Sequence, residues 1–304
     1  MKGELTVVQD KREKTASYKV QKTVSTVLSY ILLVVLSVIW LYPILWIILN
    51  AFRTELNDSG DLIGIVVSNY FPKRVGFDNF IALFTDSTYP FIRWFLNTLL
   101  VAAASCVLST LFTLSVAYVM SKLQFSWRKT YLRFAMVLGL FPGFMSIMAI
   151  YYILKAFGLT HSLFALILVN ASGAGLGFYV AKGFFDVIPN SLVESARIDG
   201  ATNAQIFFKI ILPLSKPIII YTALLAFTGP WMDFIFARVI LGVENKESLT
   251  VAVGLYDMIY GNHADTNVFT KFCAGCTVVA IPIVTLFLSM QKYYIEGVTA
   301  GSVK

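Results

Sequence analysis

Six long apolar blocks, separated by polar connections, dominate the hydropathy pattern of the chain. Each block is close to the ~20 apolar residues that a helix needs to cross the hydrocarbon core of a membrane. Apolar and polar residues do not alternate within the blocks, so membrane helices are favoured over barrel strands. The pattern predicts an all-α membrane protein with six transmembrane helices, over residues 26–51, 94–120, 132–156, 162–185, 214–240 and 272–290.

Composition and charge agree with this pattern. The 304 residues are 58% hydrophobic and only 13% charged, and the mean hydropathy is +0.75, which is too apolar for an ordinary soluble domain. Sixteen of the 24 lysine and arginine residues fall in the two ends of the chain and in alternate connections. Because basic residues concentrate on the cytoplasmic side, both termini are predicted to be cytoplasmic. The net charge of +7 follows from this asymmetry and requires no nucleic-acid partner.

The same pattern divides the chain into three parts. Residues 1–25 form a polar, basic cytoplasmic segment, most of which is expected to be disordered or to lie along the membrane surface. The membrane domain covers residues 26–295 and includes a polar connection at 189–217. The small-residue tail at 296–304 is too polar to continue the sixth span, and it is expected to be ordered only by a partner.

The connection at 189–217 carries the signals of a short helix that ends in a turn. Ser191 and Glu194 match the S-x-x-E capping box, which predicts a helix that starts at Ser191. This helix should run to about Asp199, because Gly200 can take a left-handed turn at little steric cost.

A second short helix is predicted after this turn. Thr202 and Gln205 repeat the capping pattern, and apolar residues follow at helical spacing. Pro213 should end or kink the helix where the fifth span begins. From these signals alone, a capped interfacial helix pair that only joins two spans is an equally good interpretation.

Signals for chemistry on the chain itself are weak. The sequence contains no G-x-x-x-x-G-K-[ST] loop, so it offers no P-loop for nucleotide phosphates. Gly173 and Gly177 form a G-x-x-x-G, which in an apolar span is typical of close helix packing. His161 and His263 stand apart, and the CxxC that begins at Cys273 lacks further ligands, so neither a metal site nor a catalytic triad is predicted.

Three stretches give a more specific indication. The connection reads ESARIDGA from Glu194, and ILP ends at Pro213; WMDFIFAR starts at Trp231, and the tail reads EGVTAGSVK from Glu296. The first stretch resembles the cytoplasmic EAA loop of ABC importer permeases, with Ser195 in place of the central alanine. With six spans and both ends inside, the whole chain resembles the MalG-like permeases of carbohydrate importers.

The resemblance implies that the connection is a coupling helix that docks in a groove of a separate ATPase subunit. Glu194 would be the polar anchor, Gly200 the turn that lets the two helices fold closely, and Ala196 and Ala201 the small residues that permit close approach. The docking residues implied in this way are Glu194, Ser195, Ala196, Asp199, Gly200, Ala201, Leu212 and Pro213.

The resemblance also implies the partners and the location. This chain would form half of a translocation pathway in a bacterial or archaeal cytoplasmic membrane, in contact with lipid. The other parts of a carbohydrate importer would be a second permease, two ATPase subunits and an extracytoplasmic solute-binding protein. The second permease is expected to be a different chain. The chain would have no catalytic residue, metal or cofactor of its own, because ATP and Mg²⁺ belong to the ATPases. The tail is expected to insert between the two ATPases through Glu296, Gly297, Thr299 and Gly301.

The substrate pathway has one charged candidate within a predicted span. Burying the Asp233 carboxylate in lipid costs roughly 2.5–3.5 kcal/mol, so this side chain should face protein or water. Trp231 and Phe234 flank it with aromatic faces that suit sugar rings. We therefore expect these three residues to line the translocation cavity or the interface with the second permease. A hydrogen bond from Asp233 to a neighbouring helix is the structural alternative.

Other classes of membrane protein remain open at this point. An importer for amino acids or peptides would share the coupling loop, and only the tail and the motif at Trp231 favour carbohydrate. A secondary transporter would be driven by an ion gradient and would show two corresponding broken helices, which the sequence does not indicate. A membrane enzyme would need clustered reactive side chains, of which only Asp233 is evident.

Overall fold

The computed structural model describes residues 2–57, 60, 62–66, 69–141, 143–172, 177–261 and 266–299. Within these ranges the chain is helical apart from turns, loops and two isolated β-bridges. The helices are α1 (Lys2–Ala51), α2 (Asp78–Thr85), α3 (Phe91–Lys122), α4 (Arg128–Leu138), α5 (Gly143–Ala156), α6 (Leu163–Ser172), α7 (Gly177–Val187), α8 (Asn190–Ile198), α9 (Asn203–Leu214), α10 (Lys216–Met232), α11 (Ile235–Leu241), α12 (Val251–Tyr260) and α13 (Phe269–Thr299), with single 3-10 turns before α12 and α13.

The helices that are long and apolar enough to cross a membrane number four in the described ranges, and up to six if each of two bent pairs is one span. The four are Gln21–Ala51, Phe91–Lys122, Leu163–Val187 and Phe269–Gln291, of which the third runs across residues 173–176. The prediction of an all-helical membrane protein is confirmed. The Gly173 to Gly177 packing motif lies largely outside the described residues.

Two of the six predicted spans are not continuous helices. The third is divided between α4 and α5, whose axes differ by 104°. The fifth is divided twice, because α9 meets α10 at 89° near Ser215 and α10 ends at Met232 before α11 begins. Hydropathy cannot reveal such breaks, since it averages over a window and takes no account of helix direction.

Both ends of the chain are more helical than the sequence predicted. The basic segment expected to be disordered or to lie on the membrane surface continues α1 back to Lys2. At the other end α13 continues through the first four residues of the predicted tail, to Thr299. An α-helix satisfies its backbone groups internally, so it can extend from an apolar span into a polar segment without losing hydrogen bonds.

The centre of the fold is α3, which packs against α6, α7 and α10. Two apolar clusters lie at its opposite ends. The first surrounds Trp94 near the start of α3, and the second surrounds Tyr118 near its end. At the start of α3, the Trp94 indole N–H donates to the Lys246 carbonyl at 2.6 Å, and Asn97 donates to the Leu249 carbonyl at 2.9 Å. These bonds hold the segment before α12 against α3.

The start of α13 is tied to the segment before α3 by an ion pair. Lys271 Nζ donates to Asp86 Oδ2 at 2.6 Å. Burial alone would raise the pKa of Asp86, but the bonds from Lys271 and from the Thr88 backbone N–H hold it below the ordinary value. Because the pKa of Asp86 is depressed in the folded protein, this stabilisation is present at neutral pH and is lost as the pH falls through the folded pKa.

A fully buried arginine organises the long connection after α1. Arg53 is 0% exposed, and its guanidinium donates to Asn50 Oδ1 at 3.1 Å, to Glu55 Oε1 at 3.0 Å and to the carbonyl of Asn69. Glu55 Oε1 also accepts from the Lys73 backbone N–H at 2.6 Å. The planar fork of five donors lets one side chain join the end of α1 to two parts of this connection.

We expect Arg53→Ala to destabilise the protein by about 3–5 kcal/mol, because it removes a fully buried guanidinium and breaks its ion pair with the partly buried Glu55. Thermal unfolding of the purified protein in detergent measures the loss. Arg93→Ala is the matched control, since this arginine side chain is 63% exposed and lies 3.9 Å from Glu247; its effect should stay within about 0.5 kcal/mol. Equal melting curves for the two variants would contradict the role given to Arg53.

Candidate functional site

The predicted connection at 189–217 folds into two helices joined by a turn. The first helix, α8, begins at Asn190 and follows Pro189, whose backbone is extended (φ −57°, ψ 133°). The predicted capping box is therefore wrong: Ser191 already lies within the helix, and no side chain caps its start. Proline fits this entry position because its φ is fixed and its missing N–H needs no partner at a helix start.

The turn after α8 has the hydrogen bonds of a Schellman motif. The Ala201 N–H donates to the Ala196 carbonyl at 2.9 Å, and the Gly200 N–H donates to the Arg197 carbonyl at 3.0 Å. Gly200 has a φ of +83°, and a Cβ added there would meet no atom within 4 Å. The predicted left-handed turn at Gly200 is confirmed, and this backbone conformation is what requires glycine there.

The second helix, α9, starts with the predicted capping box. The Gln205 N–H donates to Thr202 Oγ1 at 3.3 Å, and the Thr202 N–H donates to Gln205 Oε1 at 2.8 Å. One wider π turn at Phe207–Ile211 follows, just before Pro213. A wider turn accommodates a proline, which cannot donate to the preceding turn. The predicted end or kink is confirmed, as α9 ends at Leu214.

The inner faces of α8 and α9 are buried against the end of α3 and against α7. The Tyr118 hydroxyl donates to the Asn203 carbonyl at 3.2 Å, and the Tyr118 ring lies 5.1 Å from that of Phe207. We call this buried set the Tyr118 cluster. Its buried members are Leu114, Ala117, Tyr118, Met120, Phe178, Ala181, Phe185, Val193, Ala196, Ile206, Phe207, Ile211 and Ile218.

A polar clamp fastens the start of α8 beside this cluster. Lys122, the last residue of α3, is 7% exposed, and its Nζ donates to the Ile188 carbonyl at 2.6 Å and to Asn190 Oδ1 at 3.0 Å. Asp186 accepts from Ser121 Oγ at 2.6 Å. In the sequence, Lys122 is distinguished only as one of the basic residues that indicate the cytoplasmic side. Its position just after the second predicted span, on the same side as the connection, is the one hint of this role that the sequence offers.

Most of the predicted docking residues form the outer surface of the two helices. Glu194, Ser195, Asp199, Gly200 and Pro213 are exposed, while Ala201 and Leu212 are partly buried. Ala196 is different, because only 8% of it is exposed and it packs within the Tyr118 cluster.

Three findings refine that outer surface. The small side chain of Ala196 lets α8 pack closely on its own bundle. Ile198, which the sequence did not single out, is 87% exposed at the end of α8, and Phe208 is 57% exposed on α9. Large apolar side chains exposed next to a charged surface are typical of a protein interface.

A polar cavity of about 800 Å³ opens beside Glu194, between α8 and the connection from α3 to α4. Its basic lining groups outnumber its acidic ones. The cavity is lined by Ser121, Lys122, Leu123, Gln124, Phe125, Arg128, Asp186, Asn190, Val193, Glu194, Arg197 and Asn203.

The second candidate region lies at the other end of α10, where the helix breaks. Asp233 Oδ1 accepts from the Phe236 backbone N–H at 3.1 Å and so helps to begin α11. Trp231 is 3% exposed, and its ring centroid lies 5.2 Å from that of Phe95. The Trp231 ring is therefore part of the buried packing next to the break and has no face open to a ligand. Phe234 is partly buried over the same cluster as Trp94.

The remaining predicted residues do not gather into a site. His161 packs beside the end of α11, where its Nδ1 lies 2.8 Å from the Leu241 carbonyl, while His263 lies outside the described residues. Glu296, Gly297 and Thr299 fall on the helical backbone of α13, and Gly301 lies outside the described residues. The described residues contain no group of three or more histidine, cysteine or acidic side chains that could hold a metal ion.

Comparison with known proteins gives relatives along nearly the whole chain. The galactooligosaccharides transport system permease protein GanQ of Bacillus subtilis is 34% identical, over 95% of this chain and 99% of that protein. The maltodextrin transport system permease protein MalD of Streptococcus pneumoniae is 33% identical over the same shares. The fold is similar to a crystal structure of a bacterial ABC transporter involved in import of the acidic polysaccharide alginate, with a TM-score of 0.75 and 20% identity over 89% of this chain and 96% of that one.

The family whose description is "Binding-protein-dependent transport system inner membrane component" matches residues 110–299, which include α8, the turn, α9 and the break at Asp233. This match covers more than half of the chain, and the relatives above are at least 30% identical along almost all of it. The chain therefore belongs to the family of inner membrane components of binding-protein-dependent transport systems.

Proposed function

We propose that this chain is the permease subunit of an ATP-driven importer for an oligosaccharide and that it forms half of the translocation pathway. The observation that carries the proposal is the attachment of α8 and α9, which bury one face in the Tyr118 cluster and leave Glu194 exposed on the other. The names of the relatives, which refer to galactooligosaccharides and maltodextrin, support an oligosaccharide over an amino acid or peptide.

Coupling in this proposal is mechanical. An ATPase subunit, which carries the ATP and Mg²⁺, binds the outer surface of α8, and one of its side chains enters the cavity beside Glu194. Because α8 is joined to α3 by buried apolar packing and by the Lys122 clamp, a displacement of α8 is transmitted to the bundle. Interiors packed at crystal-like density transmit such displacements with little loss.

The rest of the assembly follows from the same proposal. A second permease, expected to be a different chain, covers the exposed apolar surface of this one, and an extracytoplasmic solute-binding protein delivers the sugar. This chain sits in a bacterial cytoplasmic membrane as a six-span protein with both termini inside.

A cysteine placed at position 126 should then react with an impermeant reagent only from the cytoplasmic side, and labelling from outside would reverse this orientation.

The pathway itself is proposed to pass the break between α10 and α11. Asp233 and Phe234 lie at this break, and a carboxylate at that depth is tolerated only beside protein or water. Trp231 is buried behind them, so it positions the break and does not contact the sugar.

The docking proposal predicts that Glu194→Lys uncouples transport. The lysine reverses the charge of an exposed side chain without touching the Tyr118 cluster, so insertion and assembly should be kept while uptake falls at least ten-fold. The matched control is Glu244→Lys, which makes the same change at an exposed glutamate far along the chain. Uptake by membrane vesicles and ATPase activity of the purified complex are the readouts. Normal coupling in Glu194→Lys, with a fully assembled complex, would refute the docking surface.

The tail proposal predicts that a chain ending at Ile295 inserts and assembles but shows lower transport or ATPase activity. Its reason is that the deleted residues 296–304 have little means of packing by themselves and are proposed to insert between the two ATPases. ATPase assays on the truncated and full-length complexes test this, and a truncated complex that hydrolyses ATP and transports at the full rate would overturn it.

A further inference from the structure

Three aromatic rings and one guanidinium lie in a continuous row at the break between α10 and α11. The ring centroids of Phe234 and Tyr256 are 4.4 Å apart, and those of Tyr256 and Tyr260 are 5.2 Å apart. Arg238 Cζ lies 5.1 Å from the Tyr256 ring and 5.7 Å from the Phe234 ring. We call Phe234, Arg238, Tyr256 and Tyr260 the aromatic row.

Helical spacing in two elements builds this row. Tyr256 and Tyr260 are four residues apart on α12, so they share one face of that helix. Phe234 and Arg238 have the same spacing at the start of α11, where the break at Asp233 turns them toward α12. Neither pair is recognisable as a site in the sequence, because only the packing of α11 on α12 joins them.

Arg238 has an unusual electrostatic environment for a charged group. Among the described residues its side chain makes no hydrogen bond and no ion pair, and its Nη1 is buried without a partner. The Asp233 carboxylate accepts from the Phe236 backbone N–H and, within the described residues, forms no ion pair with Arg238. Because the Arg238 side chain is partly exposed and makes no hydrogen bond within the described residues, the guanidinium retains donors that an acceptor from outside the chain can satisfy.

The row is open to contact along most of its length. Tyr260 is 71% exposed and Tyr256 is 38% exposed, while Phe234 and Arg238 are partly exposed. This surface is unsuited to contact with lipid hydrocarbon, because charged side chains such as Arg238 and Asp233 are tolerated within a membrane only beside protein or water. Open aromatic faces next to a few convergent polar groups are the usual composition of a small-molecule site.

We infer that the aromatic row is a sugar-binding subsite of the translocation pathway. In this subsite the C–H face of a sugar ring packs on Tyr256 and Tyr260, and hydroxyl oxygens accept from the fork of Arg238. A sugar ring supplies both a C–H face for the tyrosine rings and hydroxyl oxygens that accept from Arg238. The inference rests on the proposed oligosaccharide importer and adds Arg238, Tyr256 and Tyr260 to the residues that meet the substrate.

Binding of a fluorescent maltodextrin or galactooligosaccharide to the assembled, detergent-purified complex tests the subsite. Tyr256→Ala should weaken binding about ten-fold, the usual effect of losing one good apolar contact, and Tyr256→Phe should keep most of it because the ring remains. Arg238→Lys should also weaken binding, because an ammonium cannot reproduce the planar fork. Tyr152→Ala is the matched control, since Tyr152 is a 60% exposed tyrosine on α5; its binding should equal that of the unaltered complex.

The outcomes separate the subsite from the transport function. Unchanged binding in both Tyr256→Ala and Arg238→Lys would overturn the subsite and leave the importer intact. Loss of the second permease from the purified Tyr256→Ala complex would show that the row is a subunit contact, which also overturns it. Failure of the unaltered complex to bind or import either sugar would refute the proposed substrate class itself.

Discussion

The buried amine of Lys122 is the interaction on which the functional account depends most. It ends α3 and donates to one backbone carbonyl and one side-chain oxygen at the entry to α8. A charged group that is 7% exposed is tolerated only when its donors are used, so these bonds keep the end of α3 and the start of α8 together. Tyr118, one turn earlier on α3, adds a hydrogen bond to the start of α9 and a ring contact.

Helix α10 connects the two candidate regions. Its 17 residues correspond to a rod of roughly 25 Å, with the turn from α9 at one end and the Asp233 break at the other. Each end of α10 is a discrete break, and hinges commonly lie at such element-terminal residues. This arrangement gives the proposed docking surface on α8 a physical connection, through α9 and α10, to the aromatic row.

Local signals in the sequence were enough for part of this structure. The Thr202 and Gln205 box and the Gly200 turn were predictable because each depends on residues within one turn of the chain. The Ser191 and Glu194 box has the same pattern and failed, since Pro189 starts the helix two residues earlier than the pattern requires. Span positions followed from hydropathy and the bend near Ser215 from Pro213, but no prediction covered the break at Asp233. The roles of Lys122 and Arg238, and the bond from Arg53 to the Asn69 carbonyl, depend on contacts between segments that are distant in sequence, which no local pattern encodes.

The central claim is that the loop formed by α8 and α9 moves with α3 as one rigid body. Double electron–electron resonance tests it by measuring the distance between spin labels at Leu100→Cys on α3 and Leu192→Cys on α8, which are both exposed positions. The labelled complex is one in which the three native cysteines have been replaced. The account predicts one narrow distance distribution that stays in place when ATP is added. A distribution that broadens or shifts by several ångströms on ATP addition, in a labelled complex that still transports, would contradict it.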